Sequence, residues 1–256
     1  MDDRIEPGGL CGVDGCDVPA AAPAAAAAAG GPGTQIDIVS DAICPWCYIG
    51  KRQLERALGA LHAEGLVFSV QWNPFQLNPD MPPGGVERAA YRTAKFGSAA
   101  RAAALDARVT EAAVAVGLEF HLDRIVRTPN TIDAHRLIWL AGREGVQDAV
   151  MEAVFTAYFR DGRDIGDHAV LGECATGAGL DRAAVARFLA GETIAAEMRA
   201  ADRAAREAGV NGVPSFFLDG YALFSGALPA AQMADAFRRA RVVLSGRAAA
   251  EVGSAA

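Results

Sequence analysis

The sequence predicts an α/β protein in which a sheet-and-helix body is split in the chain by a helical insert. Three observations carry this. Residues 34–72 pattern as strand, helix and strand, and residues 192–247 pattern as a helix followed by two strands and a further helix. Between them lie more than one hundred residues of mostly helical periodicity. The expected division is a first part of the body at 34–85, an all-helical insertion domain at 86–191 and a second part at 192–247. Residues 1–33 read as a disordered tail with an Ala/Pro/Gly linker, and 248–256 as a disordered C-terminal tail.

Composition limits the function. The 256 residues, 52% of them hydrophobic, suffice for one sizeable core with or without an inserted domain. Lys and Arg number 24 against 31 Asp and Glu, a net charge of -7, which is the wrong sign for neutralising phosphates, so no nucleic-acid partner is expected. The alanine-rich run at 20–29 has the look of a signal-peptide centre. Its flank contains Asp2, Asp3, Glu6, Asp14 and Asp17 against Arg4, however, and Pro23 interrupts it, so no export signal is expected. No later stretch approaches the roughly 20 apolar residues of a membrane span. The expected location is the cytoplasm, with no membrane partner.

In the first strand, Gln35-Ile36-Asp37-Ile38-Val39-Ser40 alternates polar and apolar residues. Pro45 suits a first helical position, and Ile49, Leu54, Leu58 and Leu61 follow at helical spacing. The second strand is expected at 67–72. This order puts Cys44-Pro45-Trp46-Cys47 at a strand-to-helix junction. A helix N-terminus stabilises anions, so Cys44 is the expected attacking sulfur, and Cys47, one turn on, the resolving one. The spacing alone also admits half a zinc site or two core cysteines.

Other candidates were weighed on the same terms. Asp41 either influences proton transfer around the pair or merely ends the strand and caps the helix. His135 is read as making a structural hydrogen bond, and Cys174 as a small buried hydrophobe. Cys11 and Cys16 have a C-x4-C spacing that fits half a zinc site, an auxiliary dithiol on the linker or an inert appendage. Insert helices are expected at 99–116, 131–141, 146–159, 167–176 and 181–189. Tyr48, Phe75, Trp139, Phe155, Tyr158 and Phe159 are divided between core and the lining of a groove over the first helix. Near the C-terminal end, Pro214 precedes the apolar run Ser215-Phe216-Phe217-Leu218, marking a strand start or a cis peptide in a tight turn.

The two motifs and their order resemble the DsbA-like branch of the thioredoxin superfamily, and more closely its FrnE-like group. The likeness spans residues 34–245 and runs through Ser40-Asp41, Cys44-Pro45-Trp46-Cys47-Tyr48-Ile49-Gly50-Lys51-Arg52 and Pro74-Phe75-Gln76-Leu77-Asn78-Pro79-Asp80-Met81-Pro82. It continues in Asn130-Thr131, Ala134-His135-Arg136-Leu137, Ala157-Tyr158-Phe159, Asp164-Ile165 and Gly212-Val213-Pro214-Ser215-Phe216-Phe217. The resemblance implies a thioredoxin fold interrupted by a helical domain, a redox-active Cys44/Cys47 pair and a cis Val213-Pro214 bond against that pair, with Pro45, Trp46 and Asp41 in support. Asn73, where a basic residue is expected, and Leu228, where glutamine is usual, depart from the pattern.

The expected function is thiol–disulfide exchange with protein or small-molecule thiols and disulfides, through a mixed disulfide at Cys44. Reduction or isomerisation suits the Pro-Trp spacer and the cytosol. No metal and no bound cofactor are expected; an external thiol such as glutathione, or another of low molecular weight, serves the pair. Monomer and homodimer both remain open. The alternative is a glutathione-dependent transferase or isomerase acting on a small aromatic or polyketide-like molecule. Enzymes of that kind on this architecture carry serine where Cys44 stands.

Overall fold

The computed structural model describes residues 34–254. Strand β1 (Gln35–Ser40) leads into helix α1 (Pro45–Ala63) and returns in β2 (Ser69–Pro74). After the insert, helix α8 (Ala195–Glu207) precedes β5 (Ser215–Leu218), β6 (Tyr221–Ser225) and helix α9 (Ala230–Ser254). The sheet order is β2-β1-β5-β6, with β1 and β2 parallel and the other pairs antiparallel. Side-chain alternation decides the layers. Ile36 and Ile38 of β1, with Phe216 and Leu218 of β5, join α1's Leu54 and α9's Met233 and Phe237 in the main core. Val39 and Phe217 point the other way and meet Phe75 and α8's Ala205.

The insert holds β3 (Val86–Glu87), α2 (Arg88–Phe96), α3 (Ala99–Ala115), β4 (Arg127–Thr128), α4 (Ile132–Arg143), α5 (Gln147–Phe155), α6 (His168–Gly177) and α7 (Arg182–Ala190). It is not all-helical, as expected from the sequence, because β3 and β4 pair antiparallel. A two-residue ladder has no periodicity to read. Gly85 makes the crossing feasible: its φ is +64°, and a Cβ there would sit 2.5 Å from the Thr128 carbonyl oxygen.

Four other expectations change. The second strand begins at Ser69 and ends at Pro74, which an edge strand tolerates. Helix α2 was not expected at all. The helix expected over 146–159 is α5 followed by a π-helical turn, Thr156–Arg160. Finally, α9 continues to Ser254, so 248–254 are helical where a disordered tail was expected; Ala248, Ala249 and Ala250 are the best helix formers and continue it. The calls on residues 1–33, including Cys11 and Cys16, lie outside the described residues.

Helix α5 is held to the body at two places. Gln147 of α5 accepts from the Trp72 N–H (2.8 Å) and donates to the Trp72 carbonyl (3.1 Å), so its amide pairs with β2 as a neighbouring strand would. Lys51 of α1, 2% exposed, forms ion pairs with Asp148 (3.0 Å) and Glu152 (3.1 Å) of α5 and with Glu55. Arg52 adds a 2.6 Å pair to Glu152. Among the described residues, no helix is long and apolar enough to cross a membrane.

Candidate active site

The strand-to-helix junction is made by local backbone. A turn carries the Cys44 N–H onto the Asp41 carbonyl (3.0 Å), and Cys44 itself is the N-cap of α1. Its side chain makes no capping bond, Pro45 follows at the first turn, and no acidic residue lies in that turn. No carboxylate within the first turn offsets the positive end of the helix dipole; the Asp41 carboxylate lies just before it. Both cysteines are free thiols in this structure.

Cys44 and Cys47 occupy different surroundings. The Cys44 sulfur lies 3.5 Å from the Val213 carbonyl oxygen, on the segment that precedes β5, and Cys44 lines a cavity of about 400 Å³. Cys47 is fully buried behind it. Burial pushes the Cys47 thiol well up, and its hydrogen bond to Cys44 and the charge there push it further. One sulfur thus faces the cavity and the other is held as a protonated reserve.

The Val213-Pro214 bond is cis, and Pro214 packs on α1. A Cβ at Gly50 would lie 3.0 Å from the Pro214 ring, so the glycine of the Tyr48-Ile49-Gly50 stretch permits the close approach. The Pro214 carbonyl accepts from Gly226 (2.7 Å), and Ser215 bonds Ser225 (2.7 Å), seating the segment on β6.

Asp41 is completely buried, and its carboxylate accepts from the backbone N–H groups of Leu77 (2.7 Å) and Ile43 (3.4 Å). The His135 ring nitrogen Nε2 lies 3.5 Å from the same carboxylate and 3.1 Å from the Phe75 carbonyl. These contacts tie β1, the segment after β2 and α4 together; no sulfur is among them. Cys174 is buried, and burial lifts its thiol to about 11. Of the six aromatics considered for the groove, Tyr158 and Phe159 line the cavity, placed there by the π-helical turn. Tyr48 and Phe155 stack on each other inside the core (4.9 Å), Phe75 joins the second core cluster and Trp139 is partly exposed. Trp46 is 43% exposed and forms part of the cavity mouth with Val213.

Helix α2 supplies what sequence reasoning missed. Arg88, Tyr91, Arg92 and Lys95 all line the cavity. They follow the i, i+3, i+4, i+7 rule that places residues on one helix face. The stripe is polar, and a search for apolar periodicity passes over it.

A strand-helix-strand unit with its cysteine pair at the junction, closed by two antiparallel strands and interrupted by a helical insert, defines a class. The chain belongs to the DSBA-like thioredoxin domain family, whose model matches residues 35–238. It is similar to a probable DsbA oxidoreductase of Streptomyces coelicolor at 37% identity, covering 80% of this chain and 89% of that one, with a TM-score of 0.73. The uncharacterized protein YwbO of Bacillus subtilis is 26% identical over 72% of this chain and 86% of its own length. The cytosolic disulfide reductase DsbM of Pseudomonas aeruginosa, solved with glutathione, shares the fold at 20% identity and a TM-score of 0.52, over 83% of this chain and 98% of its own.

Proposed function

We propose that the chain is a cytoplasmic thiol–disulfide oxidoreductase working as a reductase or isomerase. The observation that carries this is the division of labour between the sulfurs: Cys44 at the cavity wall on the end of α1, Cys47 buried directly behind it. In the forward step the Cys44 thiolate attacks a substrate disulfide, the S–S bond breaks, a mixed disulfide forms at Cys44 and one substrate thiolate leaves. Cys47 then loses its proton and attacks the Cys44 sulfur, releasing the second thiolate and leaving a Cys44–Cys47 disulfide. An external thiol, such as glutathione, returns two electrons to the pair. Asp41 and His135 act as positioning residues through the backbone they hold, and Val213 offers its carbonyl to the attacking sulfur. A protein substrate lies extended beside Val213, exchanging backbone hydrogen bonds with that residue, since Pro214 has no N–H to donate.

The cavity next to Cys44 favours small disulfides as substrates too, which is the point of contact with the glutathione-dependent alternative. An intact Cys47 separates the two readings, because a transferase or isomerase needs no resolving thiol. The test is reduction of insulin disulfides with a thiol donor. Wild type is expected to turn over and Cys44→Ser to lose turnover entirely. Equal rates in the two proteins overturn the reading.

A further inference from the structure

The cavity's chemistry is unbalanced. Its ionisable lining groups, Cys44 and the phenols aside, are Arg88, Arg92 and Lys95 against the one carboxylate of Asp106, on a chain whose net charge is -7. Asp106 is already shared, pairing with Arg88 at 3.0 Å and with Arg92. Among the described residues, the oxygens Lys95 reaches are neutral ones, those of Asn78 (3.2 Å) and Tyr91 (2.6 Å). Two buried donors at the same wall, Asn78 Nδ2 and Arg92 Nε, have no hydrogen-bond partner among the described residues. Burial holds the Arg92 guanidinium below its ordinary value against the pull of Asp106, and the like charge of Arg88 adds to this. The cations are thus concentrated on α2, while Ile43, Leu105, Val109 and Leu122 supply an apolar part of the remaining lining.

Buried donors without partners are costly, and in a pocket they mark where a ligand's acceptors belong. We propose that this cavity binds a small disulfide carrying a carboxylate on an apolar body, with the carboxylate held by Arg92, Lys95 and Asn78 and a sulfur presented to Cys44. The assignment rests on the exchange reaction proposed above and adds its substrate class. The exchange itself balances as written there: the substrate's S–S bond breaks, its two sulfurs leave as thiolates, and the Cys44/Cys47 pair is oxidised by two electrons. The external thiol reduces it again. A cavity of about 400 Å³ falls in the range that encloses a small ligand.

The test uses the reduced full-length Cys47→Ser chain, in which an adduct at Cys44 is not resolved, and two aromatic disulfides, the acidic dithiobis(nitrobenzoate) and the neutral dithiodipyridine. The rate constant at Cys44 is measured for each, with the modified cysteine mapped by mass spectrometry, and the acidic-to-neutral ratio is compared with that of the urea-unfolded chain. The folded ratio is expected to exceed the unfolded one by about tenfold or more, as for a locally cationic site. Lys95→Glu, on an exposed helix position that does not bear on folding, is expected to remove that excess, and Lys95→Arg to keep it. Arg92→Gln should reduce it as well. A folded ratio equal to the unfolded one, or one indifferent to Lys95→Glu, overturns the substrate class while leaving exchange at Cys44 in place. If neither probe modifies Cys44 ahead of Cys174, the exchange reaction falls and the substrate class falls with it.

Discussion

Both sides of α1 are packed, but only the side of the insert adds a network of ion pairs. On the side of the sheet, Gly50 meets Pro214 so closely that an added Cβ would lie 3.0 Å from the Pro214 ring. On the side of the insert, Lys51 and Arg52 reach α5 through ion pairs whose partners are partly in water: the Asp148 side chain is 61% exposed and Glu152 32%. Packing contacts are short-ranged and change abruptly, whereas partly exposed charge pairs adjust and are screened. The sulfurs are thereby fixed against the sheet, while on the insert side adjustable charge pairs are added to a packed contact in which Tyr48 stacks on Phe155.

The largest effect expected is on the sulfurs themselves. Cys47→Ser should accumulate mixed disulfides at Cys44 that wild type resolves, seen as adducts by mass spectrometry; absence of adducts removes Cys47 from the mechanism. In wild type the resolving step needs the Cys47 thiolate, and since its thiol is pushed up, the deprotonated fraction grows about tenfold per pH unit below that raised value. Stopped-flow resolution rates should climb with that slope from pH 6 through 9, and a flat profile contradicts the assignment.

Next come the two sides of α1. Gly50→Ala should cost about 1–3 kcal/mol by overpacking, read from denaturant midpoints, and should also slow exchange because Val213 shifts with Pro214. Lys51→Met should cost about 2–3 kcal/mol, because Asp148 reaches water while the buried Glu152 Oε2 is left without its cation. Acid distinguishes the sides without mutation. Burial alone raises Glu152, but Lys51 and bonds from Tyr48 and Arg52 outweigh it and hold the carboxyl below its ordinary 4.5. A depressed carboxyl stabilises fully above its ordinary value and loses that contribution as pH falls through its folded value. Hydrogen exchange should therefore show α5 losing protection below about pH 4 while β5 retains it. Simultaneous loss in both would merge the two sides.

The smallest effect concerns Asn73, which donates to Asp37 at 3.2 Å. Burial raises the Asp37 carboxyl, so its ionised form costs stability at neutral pH. Asn73→Lys supplies a cation, and thermal unfolding should show a gain of up to about 1 kcal/mol. A loss would mean that the asparagine serves the geometry of β2 instead.

The legibility of the sequence follows the same division. The β1-α1-β2 unit and the Cys44 junction were readable because apolar periodicity and a first-turn proline report burial directly, and most of the insert helices were found within a few residues. Helix α2 escaped because it buries no residue and starts on Glu87, an uncommon N-cap whose carboxylate bonds the N–H groups of Ala89 and Ala90. The preceding Pro-Pro-Gly-Gly run reads as loop. The π-helical turn escaped because one inserted residue leaves the hydrophobic pattern nearly unchanged, yet it is what turns Tyr158 and Phe159 toward the cavity. Asp41 was expected either to influence proton transfer around the pair or to end the strand and cap the helix; its bond to Leu77, 36 positions away, is a tertiary fact.

Gln147 has a meaning beyond docking. As an outer strand of the sheet, β2 would present unpaired backbone groups to any passing chain, a template for aggregation. With both Trp72 groups taken by one side-chain amide, the middle of that edge is closed to intruders, and the insert becomes a guard of solubility as well as a wall of the cavity.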